Sequence, residues 1–578
     1  MLLVVLLAAV PKPAAARENL PSRTYLQIFT EKFGLDASSV PAPILEKLQQ
    51  PAAKDIVTPS GVRWRATPRG LLEVLPSGAQ KLWAAKEGLP VLNLTALAVG
   101  PDGWLWMGSR DGVISLRPDA PERERWFYFW GKRYLADNAV QNLAAEHHGA
   151  WIRTRSGLTH LQFKPFDLEQ KSALFVARVQ ARHNRYGLVA DCELTRADDP
   201  SSFRLASSDN DGLWTAIYAG AECFRYAVTK SPQALRNARQ SLAALRRLVE
   251  ITGIPGFPAR SFIHKSDDRP AEGEWHWTPD GEWEWKGDTS SDELVGHFLA
   301  CYLADELLPD EADRAAVRPV VERLATHLLD HGLNLVGYDG RVTTWGRYST
   351  EYFQTPNGRA DRALNSLEIL SHLRVAYHLT RDEKFLRAYH RLIDEQGYLR
   401  NVTGFATETP VEVNYSDEEL AFLSFYPLLR LEDDPRLRDQ YLQALEGLWR
   451  RVEREHNPLW DFIYAVGMGA GTNYRKEEAL DALQRIPLDT ISWTVKNSQR
   501  VDLELDQSRG RFAERQAQRA IPPNERRVMK WNGNPFELDG GDEGRSEDDG
   551  AFFLLPYWLG RYHQCSDEGQ VTRDEPKN

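Results

Sequence analysis

The chain has 578 residues, 42% of them hydrophobic and 26% charged, with 18 Trp, 22 Phe and 20 Tyr. Such a composition buries enough apolar surface for two to four domains and excludes intrinsic disorder. With 82 acidic against 71 basic residues the formal charge is −11, which repels a polyanion and excludes nucleic acid as a partner. No apolar run is long enough for a multi-pass membrane protein. The four cysteines (Cys192, Cys223, Cys301, Cys565) lack paired metal-ligand spacing, so neither a disulfide scaffold nor a metal site is expected. No cofactor is expected either, since no P-loop, Ser-elbow or dinucleotide fingerprint stands in the required context.

Residues Leu2 to Val10 are apolar without a break and are followed by Ala14-Ala15-Ala16. This reads as a secretory signal cut after Ala16, which places the mature chain in the periplasm or outside the cell with no transmembrane segment. Residues 17–57 are Pro-punctuated and are expected to form an N-terminal helical segment. Residues 58–165 then carry an internal repeat. Gly61-Val62-Arg63-Trp64 precedes Arg69-Gly70-Leu71, Asp102-Gly103-Trp104-Leu105-Trp106 precedes Asp111-Gly112-Val113, and Gly149-Ala150-Trp151 precedes Ser156-Gly157-Leu158. Trp64, Trp106 and Trp151 lie 42 and 45 residues apart, the period of a four-stranded propeller blade. These copies resemble the two-component-regulator propeller repeat. Three are too few for an ordinary closed ring, so the expectation is a partial β-propeller-like domain or one completed by flanking strands. Residues 166–205, with Arg178, Arg182, His183, Arg185 and Tyr186, read as a connecting segment.

From 206 to 566 the pattern is helical. Helices are predicted over 211–228 and 233–252, 291–308 and 311–331, 359–379 and 382–396, and 416–432 and 436–455. Weaker elements follow near 459–466 and 475–486, with a last helix over 549–563. The first member of each pair is apolar on most faces, as in Leu213, Trp214, Ile217, Tyr218 and Phe224, and the second is charged on one side. All-round apolar helices belong inside and one-sided ones outside. Five or six such pairs make an α/α toroid, and this half is similar to the six-hairpin glycosidase superfamily. The fold class expected is therefore multidomain β plus α, with an N-terminal partial propeller, a C-terminal toroid and a disordered tail over 567–578.

Alternating hairpins give every inner helix the same direction, so their acidic starts should converge on one mouth. Ser, Asp and Asn are also the preferred N-caps, and acids in a first turn suit the helix dipole, so capping competes with function at each. The resemblance implies catalytic acids at inner-helix starts; carried over by position these are Asp209, Asp211, Asp292, Glu293, Asp361 and Asp417, with Asp211 and Asp292 or Glu293 as the expected acid/base pair. Trp275, Trp277, Trp283 and Trp285 read as a β-hairpin that either stacks on sugar faces or staples itself to the domain. Trp214, His264, Trp277, Trp285, His297, Tyr352, Arg362, Asn365, Glu368, Asn414, Tyr415 and Arg545 are the expected substrate contacts. The function expected is a glycoside hydrolase acting on a polysaccharide or oligosaccharide. The alternatives are a polysaccharide lyase, which needs a Tyr or His base and cations for a uronate, and a non-catalytic glycan-binding or scaffold protein.

Overall fold

The structure is a computed structural model and describes residues 24–35, 38–408, 413–469, 471–507 and 515–565. The signal segment with its cut after Ala16 and the tail over 567–578 lie outside the described residues.

The repeats form three four-stranded antiparallel sheets. Strand β1 (Tyr25–Phe33) and helix α1 (Ala42–Gln49) come first. The first sheet orders β2 (Asp55–Val57), β3 (Arg63–Thr67), β4 (Gly70–Val74) and β5 (Gln80–Trp83). The second orders β6 (Leu94–Val99), β7 (Leu105–Ser109), β8 (Gly112–Leu116) and β9 (Trp126–Phe129). The third orders β10 (Val140–Glu146), β11 (Gly149–Thr154) and β12 (Leu158–Phe166), and its outer strand is β1. Trp64, Trp106 and Trp151 thus occupy the second strand of each blade, and all three are buried. The repeat also preserves one hydrogen bond: the hydroxyls of Thr67, Ser109 and Thr154 donate to the carbonyls of Gly70, Gly112 and Gly157, each at 2.9 Å. Gly70 and Gly112 have φ of +132° and +106°, and a Cβ at either would meet the carbonyl of Trp83 or Phe129 within 2.4 Å, so only glycine fits.

Two expectations are corrected here. Segment 17–57 is not simply helical, because β1 pairs along its whole length with β12, Tyr25 opposite Phe166 and Phe33 opposite Leu158. Segment 166–205 is more than a joint: it holds helix α2 (Leu168–Arg182), capped by Asp167 accepting from the Gln170 amide. Strands β13 (Asp191–Leu194) and β14 (Phe203–Ala206) follow it.

The helical half is a closed α/α toroid. In chain order it contains α3 (Asp211–Thr229), α4 (Pro232–Glu250), a three-stranded sheet of β15 (Ser261–His264), β16 (Trp275–Trp277) and β17 (Trp283–Lys286), α5 (Ser291–Leu307) and α6 (Glu311–Asp330). It continues with α7 (Pro356–Thr380), α8 (Glu383–Asp394), α9 (Tyr415–Leu431), α10 (Pro435–Val452), α11 (Pro458–Met468) and α12 (Lys476–Arg485). Strand β18 (Ser546–Glu547), which pairs with β13, and helix α13 (Ala551–His563) close the chain. Inner helices α3, α5, α7, α9, α11 and α13 pack each on the next, and α13 returns to α3. Their outer partners are α4, α6, α8, α10 and α12, with α2 behind α13. The division follows the side chains. In α3 nearly every residue from Asp211 to Phe224 is buried, whereas α4 buries one stripe through Ala234, Ala238, Ser241, Leu245 and Leu248.

The long segment 486–548 joins the halves. On the propeller side the Tyr134 hydroxyl donates to the Asn524 carbonyl at 2.6 Å, Arg133 Nη1 to the Arg526 carbonyl at 2.9 Å, and the Val501 amide to the Pro90 carbonyl at 2.9 Å. On the toroid side Trp531 Nε1 donates to the Phe552 carbonyl at 2.7 Å and the Tyr415 hydroxyl to Asn534 at 2.9 Å. No helix among the described residues is long and apolar enough to cross a membrane.

Candidate active site

The inner-helix starts do meet at one end of the toroid. Burial pushes Glu368 of α7 far up, and the charges of Asp292 (α5), Asp417 (α9) and Asp361 (α7) push it further. Burial likewise lifts Glu419 of α9 to about 8, with Lys530 opposing and Asp292 adding to the rise. Lys530 in turn stands against Asp549 and Asp548, before α13, and Asp211, at the start of α3. Five of the six inner helices therefore share one electrostatic neighbourhood. The sixth differs: Asp461 of α11 is buried and accepts from Trp449 Nε1 of the outer helix α10 at 2.8 Å.

Within that mouth the expected acids divide by environment. Asp211 is fully buried, and its carboxylate accepts from Arg185 at 2.7 Å, Ser261 at 2.5 Å and both the amide and hydroxyl of Ser208 at 2.9 and 2.8 Å. A carboxylate with its lone pairs so occupied has none left for substrate. Glu293 is equally buried, packed against the Gly212 backbone at the start of α3, with no side chain among the described residues donating to it. Asp209, by contrast, leaves 77% of its side chain exposed and pairs with Lys286. That pairing, against the opposing effect of burial, holds its carboxyl below the usual range. Asp292 is partly exposed, with Asn210 Nδ2 at 3.5 Å from its Oδ1. Burial raises it and the charge of Asp209 adds to the rise, against Ser290 and Arg260. Arg260 donates to the Asp209 carbonyl at 2.9 Å and to Asn210 Oδ1 at 2.8 Å, which fixes this corner.

The hairpin has two faces, because alternate residues of a strand point oppositely. One carries Ser261 and Lys286, which bind Asp211 and Asp209, and with them Trp275 and the 53% exposed Trp277. The other carries Trp283 and Trp285. Trp285 is buried against His276, and Trp283 lies 3.7 Å from the Arg247 guanidinium of α4. The second face is a staple: Trp285 is buried, and His264, edge-on to Trp283 at 4.9 Å, belongs to that face with it, while the first face leaves Trp277 open to solvent.

On α7 the Tyr352 hydroxyl donates to Asp361 at 2.5 Å, Asn365 donates to the Arg347 carbonyl at 2.7 Å, and Arg362 pairs with Glu408. Trp214 is half-buried at the mouth with Lys530 Nζ 4.1 Å from its ring. Asn414 caps the start of α9, and Tyr415 is turned to Asn534. Arg545 is exposed beside β18, where its carbonyl accepts from the Leu194 amide. His297 is not at the mouth; its ring nitrogens lie 2.6 and 3.0 Å from the carbonyls of Glu293 and Leu245, between α5 and α4. Glu419 and Lys530 belong to the site without having been singled out from sequence. Glu419 sits one residue past the acids at the start of α9, and Lys530 lies in a loop with no local signal. Among the described residues three clusters have metal-ligating spacing, and none includes the acids above. The space bounded by Trp214, Glu419, Lys530 and Asp549 is small, and a much roomier cavity of about 710 Å³ lies elsewhere, between propeller and toroid.

No protein-family model matches the sequence, and no curated protein does. Solved structures do match. A GH76 alpha-mannanase from Bacteroides thetaiotaomicron is 9% identical with a TM-score of 0.39, over 69% of this chain and 96% of that one. A cellobiose 2-epimerase from Bacillus thermoamylovorans is 12% identical with a TM-score of 0.34, over 68% and 97%. A streptogramin B lyase is 13% identical with a TM-score of 0.15; the match covers 24% of this chain and less than half, 45%, of that structure. Similarity this loose transfers no activity.

Proposed function

We propose that the toroid mouth hydrolyses a glycosidic bond of a polysaccharide or oligosaccharide, with Asp292 as proton donor and Asp209 as its ionised partner. The observation that carries this is the contrast between two acids at adjacent helix starts: the Lys286 partner holds the Asp209 carboxyl below its ordinary value, while burial and the Asp209 charge raise that of Asp292. Glycoside hydrolysis requires such a division of labour, and environments that push two carboxyls apart mark the acid and the base. Trp277 and Trp275, on the same face as Lys286, supply apolar surface for a sugar ring. Buried Asp211 serves this pair as a positioning group. β-Elimination is less well supported, because burial and neighbouring carboxylates raise both Tyr348 and Tyr352 and leave them protonated, unable to act as base.

The test is to incubate the protein with a panel of neutral and acidic polysaccharides, following new reducing ends and unsaturated-uronide absorbance together. Asp292→Asn and Asp209→Asn should each reduce reducing-end release by about 10²-fold or more while leaving the melting temperature in place. Wild-type turnover in either variant removes that residue from the mechanism, uronide absorbance replaces hydrolysis by elimination, and retention on a polysaccharide column without turnover makes the protein a binder.

A further inference from the structure

Among the described residues three groups of side chains stand at metal-ligating distances: His183, Cys192 and Glu547; Asp305, Glu306 and His378; and Asp102, His147 and His148. Two of them already hold positive charge. Glu547 is paired with Arg182 at 2.6 Å and Arg178 at 3.2 Å. Asp305 faces Arg318 at 3.7 Å. Burial lowers the His378 pKa, but Asp305 and Glu306 outweigh it and hold it above the ordinary value, which favours the ring's own positive charge.

The third group is different. Asp102 lies in the turn between β6 and β7, and His147-His148 form the two-residue tip between β10 and β11, so the ligands come from neighbouring blades. Asp102 links the two tips: Oδ1 accepts from the Trp104 amide at 3.2 Å and Oδ2 from the His148 amide at 2.6 Å. Its side chain is only 7% exposed, yet each carboxylate oxygen keeps a second lone pair. His148 Nε2 lies 4.0 Å from Oδ2, too far for a hydrogen bond. The two imidazoles lie 4.0 Å apart between centroids, and one nitrogen of each is within 4.8 Å of the other and of the carboxylate. Donors held by one ion at about 2.0–2.2 Å stand about 3–4 Å from each other, so a small rotation of two surface rings closes the set. His147 is exposed and His148 partly so, which leaves both open to an ion from solvent.

The repeat supplies an independent reason. Three residues before Trp64, Trp106 and Trp151 stand Gly61, Gly103 and His148, all with positive φ, at +83°, +81° and +55°. Glycine takes this left-handed backbone freely, and a residue with a Cβ does so against strain. The third blade therefore gives up the glycine of the other two for a histidine. The His148 carbonyl accepts from the Phe163 amide at 2.7 Å, which helps hold the residue in place, and its ring stacks on Trp104 at 4.8 Å. Burial lowers the His148 pKa, with His147 and Arg117 adding to the fall and Asp102 opposing it, so the ring keeps a lone pair to give.

We propose that Asp102, His147 and His148 bind a divalent transition-metal ion of the zinc class, and that the ion ties the second blade to the third. Two imidazoles and one carboxylate suit such an ion better than magnesium or calcium, which prefer oxygen sets. Three protein ligands leave one position for water. No cysteine takes part, which is why cysteine spacing gave no sign of the site. It does not depend on the hydrolase reading.

Calorimetric titration and thermal denaturation test this on the full chain, freed of any affinity tag and pre-treated with a chelator. Zinc chloride is the probe and magnesium chloride the control. The expected result is saturable binding of one zinc ion per chain, a melting temperature raised by zinc, and no response to magnesium. His147→Ala removes an exposed ligand and should weaken zinc binding about tenfold or more with metal-free melting unchanged. His148→Gly restores the residue of the other blades, so metal-free melting should hold or rise while zinc binding weakens at least as much. If His148 serves only to stack on Trp104, that variant melts lower without metal and binds zinc as tightly as wild type. Zinc affinity decides, and if one variant does not fold the other still gives the answer. No saturable zinc binding by the wild type, magnesium binding as tight as zinc, or unchanged zinc affinity in the variants overturns the proposal. Polysaccharide turnover plays no part in the readout, so failure here leaves the reading of the mouth untouched.

Discussion

Gly212 and Glu293 show how tightly the first two inner helices meet. A Cβ at position 212 would sit 1.8 Å from Glu293 Oε2, so Gly212→Ala should destabilise the protein by about 1–3 kcal/mol in urea denaturation through overpacking. Glu293 itself makes the fold sensitive to base. Burial holds its pKa well above the ordinary glutamate value, so the folded state keeps a proton that the unfolded chain releases above about pH 4.5. Its contribution therefore falls as pH rises from there towards its folded pKa. Glu293→Gln should flatten the decline in melting temperature between pH 5 and pH 9. Glu547 acts in the opposite sense. Burial pushes it up, but Arg182 at 2.6 Å, His183 and Arg178 outweigh that and hold it at about 2. Its stabilisation is complete above the usual glutamate range and fades as pH falls through about 2. Glu547→Gln, which leaves Arg178 and Arg182 facing a neutral group, should lose about 3–5 kcal/mol at pH 7 and depend less on acid. The acids at the helix starts were legible as a class, but the choice among them was not. Asp209 and Asp211 stand two residues apart in one Ser-Asp-Asn-Asp run, and the partners Lys286 and Ser261, brought by a distant hairpin, help set one solvent-facing and the other buried with its oxygens fully bonded.

At the level of elements, the blades pack closely enough that one methyl group matters. A Cβ on Gly108 of β7 would come within 2.5 Å of Val140 Cγ1 on β10. Gly108→Ala should lower the melting temperature of the β module, and Val140→Ala in the same chain should recover part of the loss, a coupling that a double-mutant cycle in urea will read. The long helices were readable because their apolar stripes recur over many turns, and the repeat was readable through its tryptophans and the glycines of its hairpins. Strand β1 was not. Its residues pair with β12, far away in sequence, and nothing local separates Tyr25–Phe33 from a short helix. Helix α2 was missed as part of the ring for the same reason, since the helix it backs, α13, is the last in the chain.

For the whole molecule, the 486–548 segment binds the blades through Arg133 and Tyr134 and the toroid through Trp531 and Asn534, and is itself braced by buried Arg500 held by Asp502 at 2.8 Å and Glu525 at 2.7 Å. Calorimetry of the full chain should therefore show the two halves unfolding in one endotherm; two resolved endotherms would show that this joint is weak. Both halves also tie their first element to their last: β1 lies against β12, and α2 stands behind α13. During synthesis the ribosome must therefore release β12 before β1 has a partner, and α13 before α2 and α3 are covered. A chain stopped short of Ala551 keeps every catalytic candidate yet leaves an open barrel with its apolar seam in water, so nascent or prematurely terminated copies are the ones most in need of a chaperone.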